Sequence, residues 1–253
     1  MQITAMKHRR LGDGPTLLCL NGLTQTTANW TSAGRALAAL GHGVLLTDLP
    51  GQGGSEPLPG GAPKAQAETV WSWLDHHGVE RLDLCGFSFG GRVALHMAAS
   101  QPERIGKLVL VSTSLGAGPV ARLAVRSWLE ALERGGLEAM GRVAMPWIIG
   151  EALLREVDAE QLVTATVRRN SVAGIRSLIE GLLNDRPPAL ETIRPETLVI
   201  AGSADRFALA TEQQGHAKRL PKGSYHVFAG LGHAVPVEDP TGFSEVVSTF
   251  LSA

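Results

Sequence analysis

Short apolar runs alternate with longer stretches of helical periodicity along most of this chain. The runs occupy residues 16–22 (TLLCLNG), 43–51 (GVLLTDLPG), 81–88 (RLDLCGFS), 107–114 (KLVLVSTS), 196–205 (ETLVIAGSAD) and 224–233 (SYHVFAGLGH). They are nearly continuous in Leu and Val, as strands buried on both faces of a parallel sheet are. Between them the spacing predicts helices over 28–40, 65–77, 91–100, 208–220 and 241–251, with Pro102 closing the third. The alternation predicts an α/β fold, a mostly parallel central sheet flanked by helices and joined by right-handed crossovers.

One region breaks the rhythm. From 118 to 185 no run reads as a strand. Val120, Leu123, Ala124 and Trp128 have helical spacing, as do Met140, Val143, Ala144 and Trp147, and then Ile175, Leu178, Ile179 and Leu182. The expected organisation is a core formed by 1–117 and 186–253, with 118–185 inserted as a helical lid.

Composition narrows the picture. A chain of 253 residues, 44% hydrophobic, can fill one large α/β core with an insertion. A net charge of -1 gives no reason to expect nucleic acid or an anionic membrane as partner. Cys19 and Cys85 are the only cysteines and lie inside apolar runs, so buried reduced thiols and a cytoplasmic location are expected. The N-terminal stretch lacks the apolar segment of a signal peptide, and no segment approaches the roughly 20 apolar residues of a membrane span. A monomer and a homodimer fit equally well.

The candidate chemistry starts at CGFSFGG, residues 85–91. Gly86-Phe87-Ser88-Phe89-Gly90 fits G-x-S-x-G between a strand and a helix, the nucleophile elbow. In such a turn the residues two before and two after the serine crowd each other, so glycine suits both. The hydroxyl then stands clear of the sheet at a helix N-terminus, and the N–H of Phe89 can face a developing oxyanion.

A serine hydroxyl needs a base, and the base needs an orienting acid. With this elbow the chain order is serine, acid, histidine. Of eight histidines, His8, His42, His76, His77 and His96 are out of order or on flanking helices, His216 lies in a predicted helix and His226 in a predicted strand. His233 alone sits in a loop after a late strand. Asp205 lies a few residues past the strand in TLVIAGSADRF, and its other reading is a helix cap. The alternative acid position, the loop 115–118, reads Leu-Gly-Ala-Gly and has no carboxylate. Glu238 and Asp239 are expected to anchor the histidine loop. The second oxyanion donor is expected from the loop after the first apolar run, at the N–H of Leu23; a simple Asn-Gly turn at 21–22 is the other reading.

These motifs, in this order, resemble the α/β-hydrolase superfamily over nearly the whole chain. TDLPGQGGS is similar to its D-x-P-G-x-G-x-S loop, in which Asp48 would be structural, and the insertion resembles its helical lid. Many members carry His-Gly where this chain has Asn21-Gly22, and asparagine there is similar to enol-lactone hydrolases. The resemblance implies a hydrolase without cofactor or metal, acting on a small-molecule carboxylic ester or lactone through an acyl-enzyme. A carbon–carbon bond hydrolase or lyase on the same residues, and a ligand-binding protein that keeps the pocket, stay open as alternatives. Trp128, Trp147 and Ile148 are candidates to wall the substrate pocket, with packing onto the core as the competing role.

Overall fold

All six apolar runs form strands, and a seventh precedes them. The computed structural model describes residues 5–115 and 118–253. Its sheet contains β1 (His8–Leu11), β2 (Thr16–Leu20), β3 (Gly43–Thr47), β4 (Leu82–Phe87), β5 (Ile105–Val111), β6 (Glu196–Gly202) and β7 (Gly223–Phe228), in the order β1-β3-β2-β4-β5-β6-β7. Only β1 is antiparallel, on the edge beside β3. Its sequence HRRL is almost wholly exposed, so it carries no apolar run by which to be read in advance.

Five helices pack on the two faces: α1 (Thr31–Ala39), α2 (Pro63–His76), α3 (Phe89–Ser100), α8 (Ala210–Arg219) and α10 (Pro240–Ser252). The strands' period of two divides the core. Leu18 and Leu20 face a cluster with Val70, Leu74 and Val93 of α2 and α3. Leu17 and Cys19 face the other cluster, with Leu37 of α1 and Phe243 of α10. Cys19 and Cys85 are in register on adjacent strands as buried free thiols.

Between β5 and β6 every element is helical: α4 (Pro119–Ile148), α5 (Glu151–Glu156), α6 (Ala159–Val167) and α7 (Val172–Asn184). A break in α4 falls at Gly136, where φ 74° suits glycine. The sequence pattern showed three amphipathic stretches here and did not resolve α5 and α6. Its first stripe is also displaced. Val120 and Leu123 are 62% and 67% exposed, and the buried stripe is Ala124, Val125, Trp128 and Leu132. Gly116 and Ala117, in the loop read as lacking an acid, lie outside the described residues. Among the described residues no helix is long and apolar enough to cross a membrane.

The strand order places the chemistry. After β3 the chain returns to the other side of β2, so β2 and β4 diverge in their connections and leave a crevice beyond their C-terminal ends. Leu20 and Gly86 are register partners there, which sets the loop after β2 beside the turn after β4.

Candidate active site

Ser88 sits between β4 and α3 with φ 52° and ψ −110°, a conformation few L-residues adopt. The glycines around it show why. A Cβ on Gly86 would lie 2.5 Å from the carbonyl oxygen of Gly90, and one on Gly90 would strike the backbone of Leu20 and Asn21. A Cβ on Gly91 would run into the Thr113 side chain. The turn is pinned by Ser88 N, which donates to Val111 O at 2.9 Å.

His233 lies in the loop between β7 and the short helix α9 (Val235–Glu238) and is 1% exposed. Its Nδ1 meets Asp205 Oδ2 at 2.8 Å. A carboxylate oxygen can only accept, so Nδ1 carries the hydrogen and Nε2 presents a lone pair. Nε2 is buried and has no hydrogen-bond partner among the described residues. The rings of Phe87 and Phe207 pack on the imidazole at centroid distances of 5.2 and 5.4 Å.

Asp205 uses its second oxygen locally. Oδ1 accepts from the N–H groups of Phe207 and Ala208, both at 2.8 Å. It braces its own turn but does not cap α8, which starts later, with Leu209 at the N-cap. Glu238 anchors the histidine loop as its position suggested. Its Oε2 accepts from Gly232 N at 2.8 Å, and Oε1 from Ala234 N and from Gly150 N of the insertion, each at 3.2 Å. Asp239 instead caps α10, accepting from Gly242 N at 2.9 Å.

The loop after β2 places Gly22 and Leu23 on the wall of the cavity that Ser88, Phe89 and His233 also line. Neither the Leu23 nor the Phe89 N–H donates to another described residue. Asn21 is buried, and its Nδ2 donates to Thr47 O at 2.8 Å, Gln52 Oε1 at 3.2 Å and Asp48 Oδ1 at 3.3 Å. Asp48 Oδ1 also accepts from Thr27 N at 2.5 Å. Burial raises the Asp48 pKa above its ordinary value despite these bonds. Sequence reasoning did not find Gln52 and Gln25. Gln25 Oε1 accepts from Gly22 N at 3.3 Å and Trp30 Nε1 at 3.1 Å. Their only signal was a pair of carboxamides in otherwise small-residue loops.

The cavity has a volume of about 110 Å³ and a largely apolar wall that includes Met140, Ala144, Met145, Ile148 and Phe207. No Asp, Glu, Lys or Arg lines it. Of the three pocket candidates, Trp128 and Ile148 are on the wall. Trp147 is off the stripe of α4 that faces the cavity and packs half-buried against the first core cluster. A second cavity of about 60 Å³ also reaches Ser88 and is lined by Arg92, Arg122 and Asp185. Arg92 there is already neutralised, its Nε and Nη2 each 2.8 Å from Asp185 Oδ2. Among the described residues no three His, Cys, Asp or Glu side chains are placed to hold a metal ion.

Comparison with known proteins agrees with this fold. A family model described as the alpha/beta hydrolase fold matches residues 15–140. A Bacillus subtilis protein provisionally named 2-succinyl-6-hydroxy-2,4-cyclohexadiene-1-carboxylate synthase is 29% identical, over 94% of this chain and 90% of its own. A 2-hydroxy-6-oxononadienedioate/2-hydroxy-6-oxononatrienedioate hydrolase of Paraburkholderia phymatum is 30% identical, over 93% of this chain and 86% of its own. Among solved structures, the enol-lactonase of Burkholderia xenovorans superposes with a TM-score of 0.90 at 22% identity, covering 99% of this chain and 97% of that one.

Proposed function

This chain belongs to the α/β-hydrolase family, and from that premise we propose that it is a serine hydrolase of carboxylic esters or lactones with an uncharged, apolar acyl part. The carrying observation is the His233–Asp205 contact, which turns a buried, unpartnered Nε2 lone pair toward service in the cavity that Ser88 lines.

In this reading Ser88 Oγ attacks the substrate carbonyl carbon while its proton passes to His233 Nε2. The tetrahedral oxyanion takes hydrogen bonds from the Leu23 and Phe89 N–H groups. His233 gives the proton to the leaving alkoxide as the carbon–oxygen bond breaks, which leaves an acyl-Ser88. Water, deprotonated by His233, then attacks the acyl carbon and releases the acid. Asp205 holds the imidazole in the required tautomer throughout. The insertion at 118–185 serves as the lid, and its Met140, Met145 and Ile148 hold the acyl group. The buried free thiols Cys19 and Cys85 support a cytoplasmic location.

The names of the relatives favour a second reading, a carbon–carbon bond hydrolase on the same residues. One observation weighs against it: that relative's named substrates are dioates, and the main cavity here offers no cation to a carboxylate, Arg92 and Arg122 lining only the second cavity. The test is hydrolysis of p-nitrophenyl acetate, butyrate and octanoate by the parent and by Ser88→Ala. Activity abolished in the variant supports the ester reading. Equal rates overturn it.

A further inference from the structure

Three consecutive carbonyls of the loop after β2 are held by two side-chain amides from outside that loop. Gln52 Nε2 donates to Gly22 O at 2.7 Å and to Leu23 O at 3.4 Å. Asn170 Nδ2 donates to Thr24 O at 2.8 Å. The first bond bears directly on Leu23. The Gly22 C=O and the Leu23 N–H belong to one planar trans peptide unit and point in opposite directions. Holding the oxygen at Gln52 therefore aims the N–H the other way.

Gln52 is itself fixed. It is fully buried in the loop after β3, where its Oε1 accepts from Leu49 N at 3.1 Å and from Asn21 Nδ2 at 3.2 Å. Asn170 reaches the same place from another layer, the turn between α6 and α7 of the insertion. Its Oδ1 accepts from Gly53 N at 2.9 Å. These partners set the orientation of the amide, because Gly53 N–H can only donate and Thr24 C=O can only accept. The seam continues beside it. A Cβ on Gly51 would stand 3.2 Å from Gly174 O, and Ser177 Oγ donates to Leu58 O at 2.8 Å, so α7 rests on the loop that carries Gln52. Asn170 lines neither of the two cavities that reach Ser88.

We propose that Gln52 and Asn170 are positioning residues that together aim the Leu23 N–H, and that Asn170 makes this aim depend on the seating of the helical insertion. The inference rests on the reading of Leu23 as an oxyanion donor. An insertion displaced from the 51–58 loop frees the Thr24–Gln25 peptide unit, one removed from Leu23, and lets go of Gly53 beside Gln52, so the support of the Gly22–Leu23 unit loosens from both sides. A seated insertion completes the donor pair, so closure over the substrate and readiness for the oxyanion are one event.

The test uses the full chain with p-nitrophenyl butyrate, and a trifluoromethyl ketone as a mimic of the tetrahedral adduct. Gln52→Met keeps the shape and removes the donor, and Asn170→Ala removes the second amide. The expected result for Gln52→Met is a kcat loss of about tenfold to a hundredfold, less than deletion of an oxyanion donor outright, with KM changed under threefold. Inhibitor affinity should fall by the same factor as kcat. Asn170→Ala should show the same coupled loss at smaller size, and it decides the matter alone if Gln52→Met does not fold. A variant that melts earlier but keeps kcat and inhibitor affinity within twofold of the parent overturns the proposal. Ser88→Ala separates the two levels. If it too retains activity, the underlying reading of the site fails; if it is dead while both amide variants match the parent, only the positioning proposal fails.

Discussion

His233 Nδ1 and Asp205 Oδ2 stand 2.8 Å apart, and both side chains are sealed from water. The remaining Asp205 oxygen is taken by the Phe207 and Ala208 N–H groups. Each oxygen thus has a separate task, one holding the imidazole and the other holding the turn.

That division makes Asp205→Asn informative. The Asn oxygen can still accept from Phe207 and Ala208, so the turn should survive and Tm should move little. The amide NH2 would then face Nδ1 and favour the tautomer with hydrogen on Nε2, which cannot accept a proton. A kcat loss of about 10⁴ is expected at near-parent stability. Parallel ester kinetics and thermal melts check it, and a loss under tenfold would remove His233 from the role of base.

Ser88 has the backbone of a glycine and, in the proposed reading, the side chain of a nucleophile. Its φ of 52° is strained for any residue with a Cβ. Ser88→Ala keeps the strain, whereas Ser88→Gly relieves it. Both variants should be inactive, with Ser88→Gly the more stable by about 1 kcal/mol after the entropy of the freer unfolded chain is subtracted. Urea midpoints of the two variants measure the difference.

What the sequence made legible followed from how each feature is written. Strands β2 to β6 are largely buried, and their apolar runs say so; β7, the far edge of the sheet, has no buried residue, so its run departs from the expected strand buried on both faces. The elbow is written in glycines because a Cβ at Gly86 or Gly90 has no room. Asp205 and His233 could be picked by chain order, and they meet 28 positions apart in sequence. β1 was invisible because an exposed edge strand needs no apolar run. The true stripe of α4 was missed by about one residue because Val120 and Leu123 look like core and are exposed. Gln52 and Asn170 lacked any pattern, since a polar clamp between distant loops has no period in sequence.

Glu238 holds the histidine loop. It accepts from Gly232 N and Ala234 N on either side of His233, and from Gly150 N in the insertion. Glu238→Ala would leave these donors to find other partners, and is expected to cost about 1–3 kcal/mol. Activity should fall with stability because the histidine loop loses its tether. Glu238→Gln keeps one acceptor oxygen and should lie between parent and alanine in both urea midpoint and kcat.

The buried ion pair at the exit of the insertion predicts a pH signature. Asp185 follows α7 and meets Arg92 and His96 of α3, each at 2.8 Å. Burial by itself would raise its pKa, but the His96 hydrogen bond and the Arg92 charge outweigh it and hold the carboxyl below its ordinary 3.8. A carboxyl depressed in the folded state contributes stability that is fully present above the unfolded value. That stability is lost as pH falls through the folded one. Arg92→Met should therefore cost about 3–5 kcal/mol at neutral pH, where it leaves a buried carboxylate with His96 as its remaining side-chain partner. Without the Arg92 charge Asp185 takes up a proton at higher pH than in the parent, and the penalty is relieved. The gap between parent and variant urea midpoints should narrow steadily from pH 7 towards pH 4. A gap of constant size would mean that Arg92 contributes its packed stem rather than its charge.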